Sequence, residues 1–518
     1  MGELPDDLGP IDVIIVGAGV NGAVLAAELD LLRLRVLVLE AGGDTGADEQ
    51  LTAEVGSARF EGATAGRRRG FGGSGSWWAG QCAPFDPLDF EERPWVPSSG
   101  WPLSFGDIEP WYHRAADVLG IPNERFDDEQ WKRRRVVPVH LDGLDHKFSA
   151  FIPRPDIAAE LRSRFASSAH TVVALRAPVL EVVPRDDHSR VGGVVIGTLA
   201  GQRRFIAATC VVLASGGIET PRLLLASRST TSAGLGNSSD QVGRYLHDHP
   251  NGLAAEVRPR DPRRMQDLYG MLYAGKVRHW ARIPLPERVQ RDEQLVNATA
   301  NVVFSYPDDG PVESLKRIVR EQIQRRPLER RPGPGEALRD VTRALPAVPS
   351  VLWRRYGRGL SPVQPAAKVW LQTAAEQPPR PESRVTLSSR EDERGMPLAR
   401  INWVLGEEER RAQAVLVREI ARAWESAGLA IVEPLPWLTS DREEWRSHQV
   451  DAYHHSGTTR MSSSAASGVV DEHQECHELP GLFIAGSSVF PTSSHWNPTF
   501  TSVALTLRLA SHLGEVLR

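Results

Sequence analysis

The chain has 518 residues, of which 41% are hydrophobic and 25% charged, and its formal net charge at pH 7 is −5. This length predicts two or more domains rather than a single core. The composition is typical of a globular protein, and the near balance of charges excludes the strongly basic surface that a nucleic-acid-binding protein needs.

Targeting and membrane signals are missing from the sequence pattern. The N-terminal segment MGELPDDLGP is acidic and lacks the basic start and apolar core of a secretion signal. No run of about 18 uninterrupted apolar residues predicts a membrane-spanning helix. We therefore expect a cytoplasmic protein without a membrane span.

The three cysteines, Cys82, Cys210 and Cys476, are far apart in the sequence. No CxxC pair or Cys/His cluster has the spacing of a disulfide framework, a c-type haem, an iron–sulfur cluster or a zinc site. The sequence predicts free thiols and no metal site.

The first predicted element is a nucleotide-binding unit in residues 11–43, IDVIIVGAGVNGAVLAAELDLLRLRVLVLEAGG. An apolar strand at residues 11–16 leads into the G-x-G-x-x-G motif of Gly17, Gly19 and Gly22. In this motif the first glycine permits a tight turn, the second lets the backbone approach a pyrophosphate, and the third lets helix pack on strand. The N-terminus of the following helix would offer unpaired N–H groups to phosphate oxygens.

Glu40 ends this unit, directly after a second predicted strand at residues 35–39 that follows the helix at 21–32. An acidic residue about 20 positions past the glycines can accept the ribose hydroxyls of an unphosphorylated dinucleotide. This order of elements predicts dinucleotide binding, with a βαβ unit carrying incidental glycines as the alternative. FAD and NAD both remain open, although EAGG after the acid resembles the flavoprotein form of the motif.

Residues 70–90, GFGGSGSWWAGQCAPFDPLDF, form a second glycine-rich stretch. Its glycines give a flexible backbone that can lie against a flat ligand. Trp77 and Trp78 interrupt the stretch. Gly73, Gly75 and Trp78 are therefore candidates for contact with a cofactor.

Two further strand–turn–helix units lie far along the chain. One is predicted at residues 205–227, and the other has a strand at 482–485, a Gly-Ser-Ser turn and an amphipathic helix at 501–513. Each unit suits the same parallel sheet although hundreds of residues separate them. They predict a discontinuous nucleotide-binding domain with other material inserted between its segments.

At this point the chain resembles the glucose–methanol–choline (GMC) oxidoreductases, a family of FAD-dependent enzymes that oxidise alcohols. Besides the N-terminal unit, the resemblance rests on GGSGSWWAG, DIEPWYHRAADVLG, VVLASGGIETPRLLLAS, VGRYLHDHP, HHSGTTRM…GVVD and GLFIAGSSVFPTSSHWNPTFTSVALTLRLA. These segments occur in family order and cover nearly the whole chain. The ending SSVFPT…NPTFT is similar to that of bacterial sugar and glycoside oxidoreductases (glycoside 3-oxidase type) and of pyranose oxidases.

The resemblance implies an α/β fold with a discontinuous Rossmann-like FAD-binding domain and a second, α+β substrate domain built on an antiparallel sheet. We assign residues 1–90, 155–250 and 450–518 to the FAD-binding domain and residues 91–154 and 251–449 to the substrate domain. Alternating patterns such as AAKVWLQTAAE and SRVTLSS predict strands of the antiparallel sheet that covers the flavin.

Within the substrate domain, residues 315–359 form a basic insertion interrupted by prolines. A solvated helix face is the interpretation that we favour. A lid over the site, an oligomer contact, and a surface for an anionic membrane or partner remain alternatives.

The resemblance also implies a catalytic pair, His454 and Asn497. In the family, a histidine three residues before the glycine of the GT dipeptide stands over the flavin, and a second histidine or an asparagine follows in the C-terminal loop. We expect neutral His454 to take the hydroxyl proton of an alcohol while flavin N5 accepts the hydride. Asn497 would hold the same oxygen through its amide.

Two other histidines compete for these positions. His455 could be the base, but we expect it to face away from His454 because adjacent residues on an extended strand point to opposite sides. Both histidines could also be purely structural. His495 lies in the same loop as Asn497 and is the alternative for the second position.

Further cofactor contacts are implied by the resemblance alone. Gly486 and Ser487 would lie near the pyrophosphate and ribityl chain, and Pro498 and Thr499 at the pyrimidine edge, where a helix N-terminus favours negative charge. Val179 matches the strand that offers backbone hydrogen bonds to the adenine.

The sequence departs from the fungal pyranose oxidases at one position. Those enzymes carry a histidine, within STHW, that bonds covalently to the flavin. When Trp78 is aligned with the tryptophan of that motif, Trp77 stands in place of this histidine. Tryptophan cannot form the link, so we expect a non-covalent FAD.

Together these features predict an FAD-dependent oxidation of a secondary hydroxyl of a pyranose sugar or glycoside to a ketone. The fourteen tryptophans are compatible with this substrate because aromatic faces suit sugar rings. Another polyol, an aminoglycoside, a sterol or another natural-product alcohol is the nearest alternative, and a non-redox lyase of the same family is the rival activity. Since no haem or cluster is encoded, molecular oxygen or a diffusible quinone-like acceptor would take the electrons.

Overall fold

The computed structural model describes residues 1–5, 7–44, 49–56, 59–121, 124–197, 201–307, 310, 312, 341–342, 345–439 and 443–518. Most of the basic insertion predicted at 315–359 lies outside these residues, so the alternatives for its role stay predictions. In the part of the chain that the structure describes, no helix is long and apolar enough to cross a membrane.

A five-stranded parallel sheet brings together the strands of the predicted nucleotide units. Val13–Val16 lies at its centre, between Val36–Leu39 and Cys210–Leu213, and Leu482–Ile484 and Thr171–Ala174 form the edges. The three inner strands are apolar and completely buried, as expected for a parallel sheet covered on both faces. The predicted discontinuous parallel sheet is therefore present, with strand ends one or two residues inside the predicted ones.

Helices cover this sheet. Val20–Leu31 follows the first strand, Gly216–Ala226 follows the strand from the middle of the chain, and Thr499–Val516 ends the chain. We predicted an amphipathic helix at 501–513, but this last helix is buried on nearly all sides. It packs between Val20–Leu31 and Phe105–Val118, so apolar and hydroxyl side chains occupy both of its faces.

The second large element is an antiparallel sheet of eight strands. In spatial order its strands are Ala430–Pro434, Asn251–Pro259, Lys368–Ala375, Ala298–Ser305, Val277–Pro284, Lys147–Phe151 and Gln81–Cys82, with Leu272–Ala274 paired to Val277–Pro284. The pattern AAKVWLQTAAE was correctly predicted as one of these strands. Gln81–Cys82 comes from the segment that we assigned to the FAD-binding domain, and the division of the chain into domains stays a prediction.

Two small sheets contain segments that we placed in the large sheets, although the strand–turn–helix unit predicted within 205–227 is present as Cys210–Leu213 and Gly216–Ala226. The pattern SRVTLSS overlaps the strand Arg384–Glu391, which pairs with Pro397–Asn402 in a separate three-stranded sheet rather than in the large one. The start of the predicted unit at 205–227 belongs to Arg203–Ala207, in a three-stranded antiparallel sheet. Both short segments have the right period, but the pattern does not say which sheet they join.

The remaining helices are mostly short and lie around the antiparallel sheet or in connections. The α-helices are Pro87–Phe90, Glu129–Lys132, Ile157–Ser167, Pro262–Tyr269, Glu287–Glu293, Val348–Leu352, Glu407–Ser426 and Pro436–Thr439. The 3-10 helices are Glu61–Ala63, Gly73–Ser76, Leu345–Ala347, Glu443–His448 and Ser487–Val489, and Trp353–Arg358 forms a π-helix.

Candidate active site

One cavity of about 690 Å³ lies against both large sheets. Its walls include Gly17 and Glu40 of the nucleotide motif and also His454 and Asn497. Cavities of this size are typical of small-molecule and cofactor sites. The structure therefore brings the predicted binding motif and the predicted catalytic pair to one site.

The glycine motif has the geometry that a dinucleotide requires. Gly17 has a φ of +101°, and a Cβ there would lie 2.9 Å from a backbone oxygen, whereas a Cβ on Gly22 would overlap the backbone oxygen of Gly17. A Cβ on Gly19 would meet nothing within 4 Å, so this backbone is open on the cavity side. No side chain of a described residue caps the helix that starts at Val20, which leaves its first N–H groups available to a pyrophosphate. The motif thus fits a dinucleotide such as FAD.

Glu40 is buried and ties two parts of the motif together. Its carboxylate accepts backbone N–H groups of Ala18, Gly42 and Gly70 at 2.9, 2.8 and 2.9 Å. Burial raises the pKa of Glu40, and these three hydrogen bonds oppose that rise. The carboxylate therefore holds the first glycine loop against the second glycine-rich stretch, and its contact with a ribose stays a prediction.

The other residues predicted to contact the cofactor also lie on this cavity. They are Gly73, Gly75, Trp78, Val179, Gly486, Ser487, Pro498 and Thr499. Trp78 donates its indole N–H to the backbone oxygen of Pro155 at 2.7 Å, and Trp77 is 54% exposed beneath the guanidinium of Arg68. Their individual cofactor contacts stay predictions.

His454 and Asn497 are in contact. The Asn497 Nδ2 atom lies 3.0 Å from His454 Nε2, and both residues line the cavity. Asn497 stands just before the buried C-terminal helix, which begins at Thr499, and that helix fixes its position. A carboxamide and an imidazole at this distance can share one substrate oxygen.

The backbone at His454 is held by the buried carboxylate of Asp248. One oxygen of Asp248 accepts the His454 N–H at 2.8 Å, and the other accepts those of His249 and Ala452 at 2.6 and 2.9 Å. Burial, followed by the nearby carboxylate of Asp451, raises the pKa of Asp248 to about 7. Asp248 thereby fixes two histidine-bearing segments that are far apart in the chain.

The imidazole of His249 lies against that of His454. The two Nδ1 atoms are 2.8 Å apart, and His249 Nε2 lies 3.2 and 2.9 Å from the backbone oxygens of Ser493 and Ser494. Burial lowers the pKa of His249 to about 4. Burial, and then the positive charges that His249, Arg282 and His455 can carry, hold the pKa of His454 well below 6.5. Both rings are therefore neutral at neutral pH.

Arg282 supplies a buried guanidinium beside Asn497. Its Nη2 donates to Asn497 Oδ1 at 3.1 Å, its Nη1 donates to the backbone oxygen of His495 at 3.4 Å, and the group stacks over Trp496 at 5.1 Å. Among the described residues, no carboxylate forms an ion pair with it. Burial lowers the pKa of Arg282 to about 10. The guanidinium remains protonated and fixes the amide of Asn497.

The two competing histidines also line the cavity but make different contacts. His455 packs its ring against Phe60, with the ring centroids 5.4 Å apart. Residues 454 and 455 are not part of a regular strand, and Tyr453 before them has a φ of +62°, so our expectation that His455 faces away from His454 stays a prediction. His495 is buried next to Trp496, and neither of its ring nitrogens has a hydrogen-bond partner in the part of the chain that the structure describes.

The antiparallel sheet presents polar side chains to the same cavity. They are Gln81, Asn251, Trp280, Asn301 and Gln372. Asn301 and Gln372 are opposite each other on neighbouring strands, and Asn301 Oδ1 has no hydrogen-bond partner among the residues that the structure describes. A wall rich in carboxamides offers donors and acceptors to a hydroxylated ligand.

Sequence reasoning did not assign roles to Asp248, His249 or Arg282. The first two lie in VGRYLHDHP. This segment contributed to the family resemblance, but it did not indicate what Asp248 and His249 do. Arg282 lies in an ordinary alternating strand, Val277–Pro284, and nothing in that pattern distinguishes it.

Two family models match the chain. One described as GMC oxidoreductase matches residues 379–506, which include His454 and Asn497. The other, described as FAD dependent oxidoreductase, matches residues 12–264, which include the glycine motif and His249. Together they cover the glycine motif and the catalytic pair, whereas the cavity residues Trp280, Arg282, Asn301 and Gln372 lie outside both matches.

Named relatives and solved structures agree with these matches. The chain is 30% identical to a 2-methyl-1,2-propanediol dehydrogenase of Mycolicibacterium austroafricanum, over 36% of this chain and 42% of the relative. It is 26% identical to a C-glycoside 3-oxidase of Microbacterium trichothecenolyticum, over 64% of this chain and 51% of the relative. The chain thus spans about half, or less, of these relatives' lengths. A crystal structure of formate oxidase covers 99% of this chain and 100% of its own, with a TM-score of 0.59 and 17% identity, which supports the fold.

Proposed function

The chain belongs to the GMC family of FAD-dependent oxidoreductases, and from that premise we propose that it oxidises a secondary hydroxyl of a pyranose sugar or glycoside to a ketone. The observation that carries the proposal is the contact between His454 and Asn497 on the wall of the cavity that also holds the glycine motif. When bound, FAD supplies the two-electron acceptor that takes a hydride from the carbinol carbon.

The residues that would hold FAD fit its chemistry. The open backbone at Gly19 and the uncapped start of the helix at Val20 suit the pyrophosphate. Trp77 replaces the histidine that forms a covalent link in fungal pyranose oxidases, so FAD is bound without a covalent bond. Precipitating the protein with acid and measuring flavin in the supernatant tests this, and flavin retained in the pellet would contradict it.

His454 acts as the base in this proposal. Its pKa, held well below 6.5 mainly by burial, keeps the ring neutral and able to accept a proton at neutral pH. The amide of Asn497 donates to the substrate oxygen and fixes which C–H bond can react. Removing the hydroxyl proton as the C–H bond breaks makes the carbon a better hydride donor.

A sugar-like substrate is supported by the polar residues that the antiparallel sheet contributes to the cavity wall. The carboxamides of Asn251, Asn301 and Gln372 and the indole of Trp280 line it. Gln372 Nε2 donates to Asn251 Oδ1 at 3.1 Å, whereas Asn301 Oδ1 has no partner among the described residues. A ligand hydroxyl can donate to Asn301 Oδ1, whereas an apolar ligand would leave it unpaired at a cost of about 1–3 kcal/mol. The C-glycoside 3-oxidase among the relatives supports the same substrate class.

A smaller alcohol is the second candidate, because one relative is named as a dehydrogenase of a propanediol. Electrons would pass to molecular oxygen or a diffusible quinone-like acceptor in either case. A lyase is the rival that uses the same two side chains without net redox change.

Anaerobic mixing of the flavin-loaded protein with a panel of substrates tests the proposal. The panel pairs O- and C-glycosides and free pyranoses with 1,2-diols and a sterol. Bleaching of the visible flavin band by the sugars, with a ketone detected by NMR, is the expected result. Bleaching by the diols alone would assign the second candidate. Consumption of a substrate without bleaching would assign a lyase, and both outcomes would reject the sugar oxidation.

A further inference from the structure

Hydrogen bonds around His454 form a chain whose directions are fixed at both ends. At one end, His249 Nε2 lies 3.2 and 2.9 Å from the backbone oxygens of Ser493 and Ser494. A carbonyl oxygen can only accept a hydrogen bond. His249 therefore carries its proton on Nε2.

The next link is the contact of the two rings, whose Nδ1 atoms are 2.8 Å apart. Burial lowers the pKa of His249 to about 4 and that of His454 well below 6.5, so each ring holds one proton at neutral pH. With its proton on Nε2, His249 has a lone pair on Nδ1. His454 must then donate from its own Nδ1, which leaves a lone pair on its Nε2.

The other end of this series of hydrogen bonds independently gives the same proton positions on His454. A guanidinium can only donate, and Arg282 Nη2 lies 3.1 Å from Asn497 Oδ1. This contact fixes the orientation of the amide, so its NH₂ group faces His454 Nε2 at 3.0 Å. An NH₂ group requires an acceptor, and His454 Nε2 is therefore the unprotonated nitrogen from this side too.

We propose that His249 and Arg282 are positioning residues that hold His454 in the Nδ1–H tautomer, with the Nε2 lone pair directed towards Asn497 and the substrate. The inference rests on the proposed role of His454 as the base. In the other tautomer, an N–H group would face the substrate hydroxyl and could not take its proton. In the held tautomer, the hydroxyl proton moves to Nε2, and the resulting cation keeps its Nδ1–H bond to His249.

Few other groups around His454 could determine which of its ring nitrogens carries the proton. His249, Arg282 and His455 are the groups whose charge acts on the ring, and Asp248 reaches only its backbone N–H. His455 packs against Phe60 and does not hydrogen-bond to the ring. The tautomer is thus set by the two residues named.

Nitrogen-15 NMR of the flavin-loaded protein, labelled at histidine and free of substrate, tests the tautomer directly. The shifts of the ring nitrogens separate protonated from unprotonated nitrogen, and the His454→Gln spectrum assigns the signals of this ring. Protonated Nδ1 and unprotonated Nε2 in His454 are expected, with the reverse in His249. The reverse pattern in His454 would overturn the inference. This readout does not depend on any substrate, so it is distinct from failure of the proposed function.

A pair of variants at His249 tests the effect on turnover. His249→Leu removes the acceptor for the His454 proton at similar volume, and His249→Asn offers an amide oxygen near the position of Nδ1. We expect kcat to fall by about 10–100-fold in His249→Leu with KM nearly unchanged, the range typical of residues that orient a ligand or base. His249→Asn is expected to recover most of kcat.

Flavin content and Tm serve as the folding control for both variants. Unchanged kcat in a fully loaded His249→Leu protein would overturn the inference. If His249→Leu does not bind flavin, the His249→Asn variant decides: its His454 must still show the Nδ1–H tautomer by NMR, and the other tautomer together with normal kcat would overturn the inference.

Discussion

The Asn497 Nδ2 atom lies 3.0 Å from His454 Nε2, at the surface of the cavity that contains the nucleotide motif. The two side chains come from different loops, one fixed by Asp248 and the other by the start of the C-terminal helix. Each can contact the same substrate oxygen, one as an acceptor and the other as a donor. The effects of their substitutions should therefore differ in kind.

Replacing the base should abolish most of the turnover. In His454→Gln, the side chain keeps hydrogen-bonding groups but cannot take up a proton, and we expect kcat to fall by about 10²–10⁴-fold. Flavin content should be unchanged. The measurement is anaerobic stopped-flow reduction of the flavin, with His113→Gln, an exposed helix residue, as the matched control. A His454→Gln protein that reduces its flavin at the normal rate would disprove the assignment.

Replacing the amide should affect both orientation and charge. In Asn497→Asp, the new carboxylate can pair with the guanidinium of Arg282 and no longer donates to the substrate oxygen. We expect a loss of about 10–100-fold in kcat, as for other groups that position a reacting atom. Substrate deuterated at the reacting carbon should show a larger isotope effect on kcat/KM than in the wild type, because hydride transfer becomes more fully rate-limiting. An unchanged kcat would place the substrate oxygen elsewhere.

The base also sets an expectation for pH dependence. Because burial holds the pKa of His454 well below 6.5, the ring stays neutral until the pH falls below that value. We expect kcat/KM to be flat at and above pH 6.5 and to decline only in more acidic solution. A decline centred near 7 would instead report Asp248, whose pKa is raised to about 7.

Much of the nucleotide-binding unit was predictable because its signals are local. Gly17, Gly19 and Gly22 each impose a backbone requirement that their spacing reveals, and buried strands show as apolar runs. The contact of His454 with Asn497 followed only from the resemblance. The roles of His249 and Arg282 depend on which strand lies beside which loop, and residue alternation within one strand carries no such information.

The carboxylate of Glu40 should be needed for flavin binding. In Glu40→Gln, one oxygen becomes an NH₂ group that cannot accept the N–H groups of Ala18, Gly42 or Gly70. An unpaired buried donor costs about 1–3 kcal/mol, so we expect lower flavin occupancy after purification and a lower Tm. The ratio of flavin to protein absorbance measures the occupancy, with exposed Glu109→Gln as the control. Full occupancy with an unchanged Tm would show that these hydrogen bonds are dispensable.

A buried ion pair between Arg93 and Glu376 gives a prediction for stability. Arg93 donates to both carboxylate oxygens of Glu376 at 2.7 and 2.6 Å, and both side chains are completely buried. Arg93 holds the pKa of Glu376 below its ordinary value although burial raises it. Glu376→Gln would leave the buried guanidinium of Arg93 without this partner, at a cost of about 3–5 kcal/mol in the free energy of unfolding. Ionisation of Asp89, whose carboxyl group interacts with the charge of Arg93, would reduce this cost.

The double variant Arg93→Met/Glu376→Gln separates the charge from the packing. Removing the guanidinium as well eliminates the unpaired charge, so we expect its Tm to lie above that of Glu376→Gln alone. Thermal unfolding of the flavin-loaded proteins, followed by tryptophan fluorescence, gives the comparison. A double variant that is less stable than Glu376→Gln would contradict this expectation. It would show that Arg93 stabilises the fold through contacts other than its ion pair with Glu376.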